Sequence, residues 1–151
     1  MKWAKCNIGA EKETDYGYYF QWGDIVDKSN ADCSWATYKH CNGSNTTLTK
    51  YITDSSYGAV DNKTTLDLED DAARVHMRGD WKMPTSALME ELVEETTNEW
   101  TTINDVNGRK FTSKKDTSKY IFIPASGYRY DSSFGNKGDK GFVWNSSLNP
   151  F

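Results

Sequence analysis

Side chains suited to catalysis are few in this sequence and are not paired in a productive way. The acidic pairs are Asp70/Asp71, Glu90/Glu91 and Glu94/Glu95. A glycosidase needs two carboxylates that face each other across a substrate, whereas neighbouring residues on a helix diverge. The sequence also lacks a nucleophile elbow, a phosphate-binding glycine loop, an HExxH motif and an EF-hand loop. We therefore predict that the protein is not an enzyme.

Thiol and imidazole groups form an incomplete metal-binding pattern. Cys33, His40 and Cys41 are close in sequence, but His40 directly precedes Cys41 and no fourth ligand is nearby. Small buried or loop cysteines are the favoured interpretation. Cys33 and Cys41 either close a small loop in an exported protein or remain free thiols. We expect no metal and no cofactor.

Residues suited to binding are concentrated in one stretch, residues 120–147. A short apolar run, predicted to be a strand, is followed by about twenty residues in which aromatic side chains alternate with Gly, Ser, Asn and Asp. This mixture is typical of binding loops, because rigid rings are set among adaptable hydrogen-bonding groups. The alternative is a solvated connection with its aromatic rings tucked underneath. The candidate ligand-binding residues are Arg129, Tyr130, Asp131, Ser132, Ser133, Phe134, Asn136, Lys137, Trp144 and Asn145.

Length and net charge narrow the classes of protein to which this chain could belong. The 151 residues predict one domain, residues 1–151, and the net charge of −4 argues against a nucleic-acid partner. No apolar run is long enough to span a membrane, so we expect no membrane insertion. Residues 2–5 do not begin a signal peptide. We expect a chain truncated at both ends, because it starts and stops within apparent structure.

Several short elements are predicted to support the loop. The expected strands are residues 3–8, 16–23, 48–52, 100–103, 110–113, 120–123 and 141–144. Helices are predicted for residues 67–77, capped by Asp67 with Leu68, Ala72 and Val75 facing inward, and for residues 86–95, capped by Thr85. A tight turn is expected at Asn107-Gly108, and a hairpin is expected around residues 115–117. Two helices followed by several strands predict an α+β domain.

The order of the motifs resembles the Fibrobacter succinogenes major paralogous domain family, a C-type-lectin-like module of Bacteroidetes surface proteins and their phages. The matching segments are residues 2–10 (KWAKCNIGA), 15–23 (DYGYYFQWG), 70–73 (DDAA), 79–85 (GDWKMPT), 122–129 (FIPASGYR) and 144–147 (WNSS). The resemblance implies two short helices and a twisted antiparallel sheet. It also implies a likeness to variable proteins diversified by retroelements, whose C-terminal loops carry the contacts.

Two departures from the family pattern change what we expect of the fold and of sugar binding. The family continues past the WNSS position with strands that close the domain, so we expect the last strands to be lacking, or to be supplied by another chain. The motifs of calcium-dependent sugar binding are also missing. The related formylglycine-generating enzymes need a late cysteine pair, whereas Cys6, Cys33 and Cys41 are all early.

We predict a ligand-binding or adhesion module that recognises a protein or glycan on a cell surface. The alternative is a structural or decoration module of a phage virion or surface appendage. Both predict an extracellular location, on a bacterial cell surface or on a phage particle.

Overall fold

The computed structural model describes residues 2–149 and confirms the α+β class. The helices are α1 (Ala72–His76) and α2 (Ser86–Glu94), and two 3-10 turns cover Trp35–Thr37 and Leu68–Asp70. The strands are β1 (Thr96–Ile103), β2 (Val106–Ser113), β3 (Tyr120–Pro124), β4 (Tyr128–Tyr130) and β5 (Ser133–Gly135). The expected truncation falls at Met1 and Phe151, outside the described residues. Among the described residues, no helix is long and apolar enough to cross a membrane.

Strands β1, β2 and β3 form an antiparallel sheet in that order, and β4 and β5 form a separate hairpin. The predicted hairpin around residues 115–117 is confirmed, because β2 pairs with β3 in a register that sets Lys110 opposite Phe122. The Ser113 amide donates to the Lys119 carbonyl at 3.0 Å where this hairpin turns. Strand β3 is therefore an edge strand of its sheet.

The tight turn predicted at Asn107-Gly108 is wrong. The turn between β1 and β2 falls at Asn104 and Asp105, whose φ angles are 47° and 63°, and both residue types tolerate this left-handed region. Gly108 instead lies inside β2, where an added Cβ would come within 2.5 Å of the Phe122 ring. Glycine is needed there for close packing and not for a turn.

Helix α2 forms as predicted, with Thr85 as its N-cap. The Thr85 hydroxyl accepts a hydrogen bond from the Leu88 amide at 3.3 Å, which satisfies one of the unpaired donors of the first turn. The buried side chain of this helix is Leu92. Strand β1 follows almost at once and starts four residues earlier than predicted, at Thr96.

The first helix is shorter than predicted. A 3-10 turn, Leu68–Asp70, precedes α1, and Asp71 caps α1 by accepting a hydrogen bond from the Arg74 amide at 3.0 Å, so the cap expected at Asp67 is wrong. Leu68 and Val75 are exposed, whereas Ala72 and Ala73 are buried. Because the chain breaks at Asp71, the buried side of α1 differs from the side that one continuous helix over residues 67–77 would bury.

The strands predicted for residues 3–8, 16–23, 48–52 and 141–144 do not form ladders in the described part of the chain. Long-range single bonds hold these segments instead. Each of two indoles donates to a carbonyl at 2.8 Å, Trp22 to Asn145 and Trp144 to Phe20. The other two segments are held by single backbone bonds, from the Tyr18 amide to the Ile8 carbonyl and from the Leu48 amide to the Tyr57 carbonyl, both at 2.8 Å.

Candidate binding surface and groove

The β4–β5 hairpin lies in the stretch singled out as a binding loop. Its register pairs Arg129 with Phe134 and Tyr130 with Ser133, and Asp131 begins the turn with a φ of 47°. Gly127 precedes the hairpin with a φ of 67°, and a Cβ there would collide with the Gly135 carbonyl oxygen. The loop is therefore a formed hairpin and not an irregular connection.

Arg129 anchors the hairpin to the body of the protein. Its guanidinium group lies 4.4 Å from the centre of the Phe134 ring and donates to the carbonyl oxygens of Lys28 and Ala31 at 3.1 and 3.2 Å. Lys137 covers the same ring, with its Nζ atom 3.4 Å from the ring centre. These cation–π contacts mean that Arg129, Phe134 and Lys137 support the hairpin, and their role as ligand contacts stays a prediction.

Tyr19 supports the base of the hairpin from the N-terminal half of the chain. Its ring meets Phe134 edge-on at 5.0 Å, and its hydroxyl donates to the Ser126 carbonyl at 2.6 Å. Burial, followed by the neighbouring Tyr16, raises the pKa of Tyr19 to about 12. The hydroxyl therefore stays protonated at neutral pH and keeps its hydrogen bond.

The tip of the hairpin points away from this support. Tyr130 is 67% exposed, and Asp131, Ser132 and Ser133 are exposed beside it. Backbone bonds in both directions join Asp131 to Cys33, at 3.0 and 3.1 Å. We call the exposed residues Tyr130, Asp131, Ser132 and Ser133, together with Trp35 from the adjoining segment, the hairpin surface.

Trp35 was missed by sequence reasoning. It lies in the 3-10 turn that follows Cys33 and is 50% exposed. A tryptophan in a polar stretch without hydrophobic periodicity was the available signal, but only the Cys33–Asp131 bridge brings this segment to the hairpin. The hairpin surface thus has a large exposed ring on each of two adjoining segments, which is a common feature of binding sites.

The other predicted ligand-binding residues, which are Asn136, Trp144 and Asn145, lie in two different parts of the structure. Asn136 begins a turn after β5 with a φ of 54°, and its carbonyl accepts from the amides of Asp139 and Lys140. Trp144 and Asn145 lie apart from the hairpin tip. The Asn145 side chain accepts from the Ser147 amide at 2.8 Å, and Trp144 lines a separate apolar groove.

The groove lies between the sheet and the N-terminal half of the chain and has a volume of about 460 Å³. Apolar and aromatic side chains dominate its walls, including Trp3, Trp81, Ile121, Ile123, Phe142, Val143 and Trp144. Phe142 and Trp144 are 58% and 53% exposed. This open apolar surface is a candidate interaction site.

The cysteines show no sign of activation. All three are free thiols in this structure, which leaves no bond between Cys33 and Cys41. Burial raises the pKa of the Cys33 thiol, so the nucleophilic thiolate is disfavoured. The Cys41 thiol donates to the Trp35 carbonyl at 3.0 Å and helps hold the segment that carries Trp35.

A cluster of carboxylates from Asp67, Glu69 and Asp70 has the composition of a cation site. The Lys50 ammonium group already lies among them, with its Nζ atom 2.7, 3.1 and 2.6 Å from the three carboxylates. Lys39 contacts Asp70 from another direction at 2.6 Å. Lys63 also contacts Asp67, so three lysines balance the three carboxylates and the cluster acts as a structural ion-pair network.

Comparisons with known proteins found no matching family model, curated protein or solved structure.

Proposed function

We propose that the protein is a non-enzymatic binding module that uses its hairpin surface to bind a protein or glycan on a cell surface. The single observation that carries this proposal is a well-anchored hairpin with an exposed tip. Arg129, Phe134 and Lys137 hold its base, while Tyr130 and three small polar residues are left free to make contacts. A rigid support reduces the conformational entropy that is lost on binding.

The composition of the hairpin surface favours this type of ligand. Two exposed aromatic rings beside hydroxyl and carboxylate groups can stack on a sugar ring or pack against a protein, while the polar groups supply hydrogen bonds. We further propose that the domain is a C-type-lectin-like variant located on a bacterial surface or phage particle. The two helices followed by the antiparallel sheet are consistent with that architecture.

The test uses the purified protein, a glycan array and a panel of fixed Bacteroidetes cells. Tyr130→Ala should weaken binding by at least about 30-fold, the size expected for a central aromatic contact. It should leave the thermal unfolding midpoint unchanged, because the Tyr130 side chain is mostly exposed.

Trp100→Ala is the matched control, because Trp100 is an exposed ring on β1, a strand of the other sheet. This variant should bind like the unmodified protein. Equal binding by the Tyr130→Ala variant, or the absence of any glycan or cell binding by the unmodified protein, would contradict the proposal and favour a structural or decoration role.

A further inference from the structure

The groove contains the outer edge of β3, which pairs with no other strand among residues 2–149. Backbone bonds from the Ser113 amide to the Lys119 carbonyl and from the Ala125 amide to the Asn107 carbonyl bracket the β2–β3 ladder. Bonded and non-bonded pairs alternate in an antiparallel ladder, so Ile121 and Ile123 bond to β2. The amide and carbonyl of Phe122 must therefore point away from β2.

The Phe122 peptide groups have no hydrogen-bond partner among residues 2–149. Phe122 lies on an edge strand, and an edge amide and carbonyl without a ladder partner are a template for pairing with another strand. Its side chain packs toward Gly108, on the face opposite the groove-lining Ile121 and Ile123. Because Phe122 also borders the groove, its backbone is the part of the residue that faces this space.

The charges around the groove are complementary to an acidic partner. Lys2, Lys5 and Lys82 border it, are exposed, and form no ion pair within the described part of the chain. The two carboxylates at the groove are already engaged: Asp80 contacts Arg74 at 3.1 Å, and Asp24 contacts Lys28 at 3.5 Å. The unpaired charge at the rim is therefore positive.

We propose that the groove accepts an extended strand from another polypeptide, with apolar residues at alternate positions and acidic residues at its ends. The strand pairs with the outer edge of β3 and supplies the missing bonds to the Phe122 amide and carbonyl. Its apolar side chains cover Ile121, Ile123 and the aromatic walls, while its acidic ends lie near the three lysines. The groove is lined by Tyr128 and Arg129 of β4 but by none of the residues of the hairpin surface.

The direct test monitors the Phe122 amide by NMR in isotope-labelled protein. The probe is a synthetic peptide that alternates Val and Thr over about eight residues, enough to span β3, with Glu residues at both ends. At saturating peptide, exchange of the Phe122 amide should slow at least tenfold. The Arg109 amide, already in the β2–β3 ladder, should change little. Unchanged exchange at Phe122, or no saturable binding, would overturn the proposal.

Two further comparisons separate strand pairing from nonspecific apolar contact. Val143→Asp in the groove should weaken peptide binding at least tenfold, whereas Val93→Asp, at an exposed position on α2, should not. A peptide with Lys in place of Glu should bind about tenfold more weakly at low salt. Equal binding of both peptides and both variants would contradict the proposed site.

Sedimentation of the protein alone tests whether a second copy of this chain occupies the groove. A monomer that binds the peptide agrees with the proposal. A dimer that the peptide dissociates would show that a second copy of this chain fills the groove, and would overturn the assignment to a different polypeptide.

Discussion

At the scale of single residues, Asp70 has the most demanding environment. Its carboxylate is 1% exposed and accepts hydrogen bonds from Lys39, Lys50 and the Tyr51 hydroxyl at 2.6, 2.6 and 2.7 Å. Burial alone would raise the pKa of Asp70, but these three hydrogen bonds outweigh burial and hold its pKa well below its usual range. The charge is thus stabilised only while its partners remain in place.

Asp70→Asn should lower the free energy of unfolding by about 3 kcal/mol at pH 7, because Lys39 and Lys50 lose their buried counter-charge. The folded-state pKa is lower than the unfolded value of about 3.9, so the contribution of Asp70 is complete above about pH 5 and declines as the pH falls below about 4. Urea titrations of both proteins at several pH values should show the difference between them shrinking in acid.

The matched control is Glu69→Gln, in the same cluster. The Glu69 carboxylate contacts Lys50 at 3.1 Å, but its side chain is 77% exposed. Solvent-exposed ion pairs contribute little, so the loss should stay below about 0.5 kcal/mol. Comparable losses for the two substitutions would contradict the importance assigned to burial.

At the scale of the elements, the β1–β2 hairpin shows how a turn signal can mislead. Asn-Gly is a strong hairpin motif, yet Asn107 and Gly108 form part of β2. The register places Gly108 opposite Pro124, under the Phe122 ring, while Asn104 and Asp105 make the turn. Packing against β3 selects this register, because a side chain at position 108 would displace the strand.

Asp105→Gly should stabilise the protein by about 0.5 kcal/mol, because glycine adopts a positive φ without strain. Gly108→Ala should destabilise it by at least about 2 kcal/mol through overpacking. Thermal and urea unfolding of the two variants would measure both effects. If Asp105→Gly does not stabilise the protein and Gly108→Ala does not destabilise it, the turn lies where the sequence motif predicts it.

At the scale of the whole molecule, the apolar groove is the main departure from a closed domain. Four of the six tryptophans line it and are only partly covered, whereas the buried core relies on residues such as Tyr51, Ile52 and Leu66. An apolar surface left open in a native structure should bind apolar dyes without any loss of tertiary packing.

The folded protein should therefore enhance the fluorescence of ANS while its near-UV circular dichroism remains native. Val143→Asp should reduce the enhancement at least twofold, because it places a charge in the groove. The acidic peptide should displace the dye. If the native protein does not enhance ANS fluorescence, and the enhancement is seen only after acid unfolding, the groove is closed in solution.

Local chemistry determined the parts that were predicted correctly. The Thr85 cap of α2 could be predicted because its hydroxyl bonds to an amide only three residues later. The hairpin around residues 115–117 could be predicted because it joins two segments that are adjacent in sequence. The aromatic loop stands out by its composition and Tyr130 is exposed there, while its role as a binding surface stays a prediction. These features depend on residues that are close in sequence.

Only the tertiary structure decided the roles of Arg129, Trp35 and Trp144. Arg129 reaches carbonyls about a hundred positions earlier in the chain, Trp35 adjoins the hairpin through the Cys33–Asp131 bridge, and Trp144 bonds to Phe20. Propensity and periodicity describe neighbours in sequence and contain no information about such distant partners. Long-range packing therefore gives Arg129 a supporting role and brings a tryptophan outside the predicted site into the proposed binding surface.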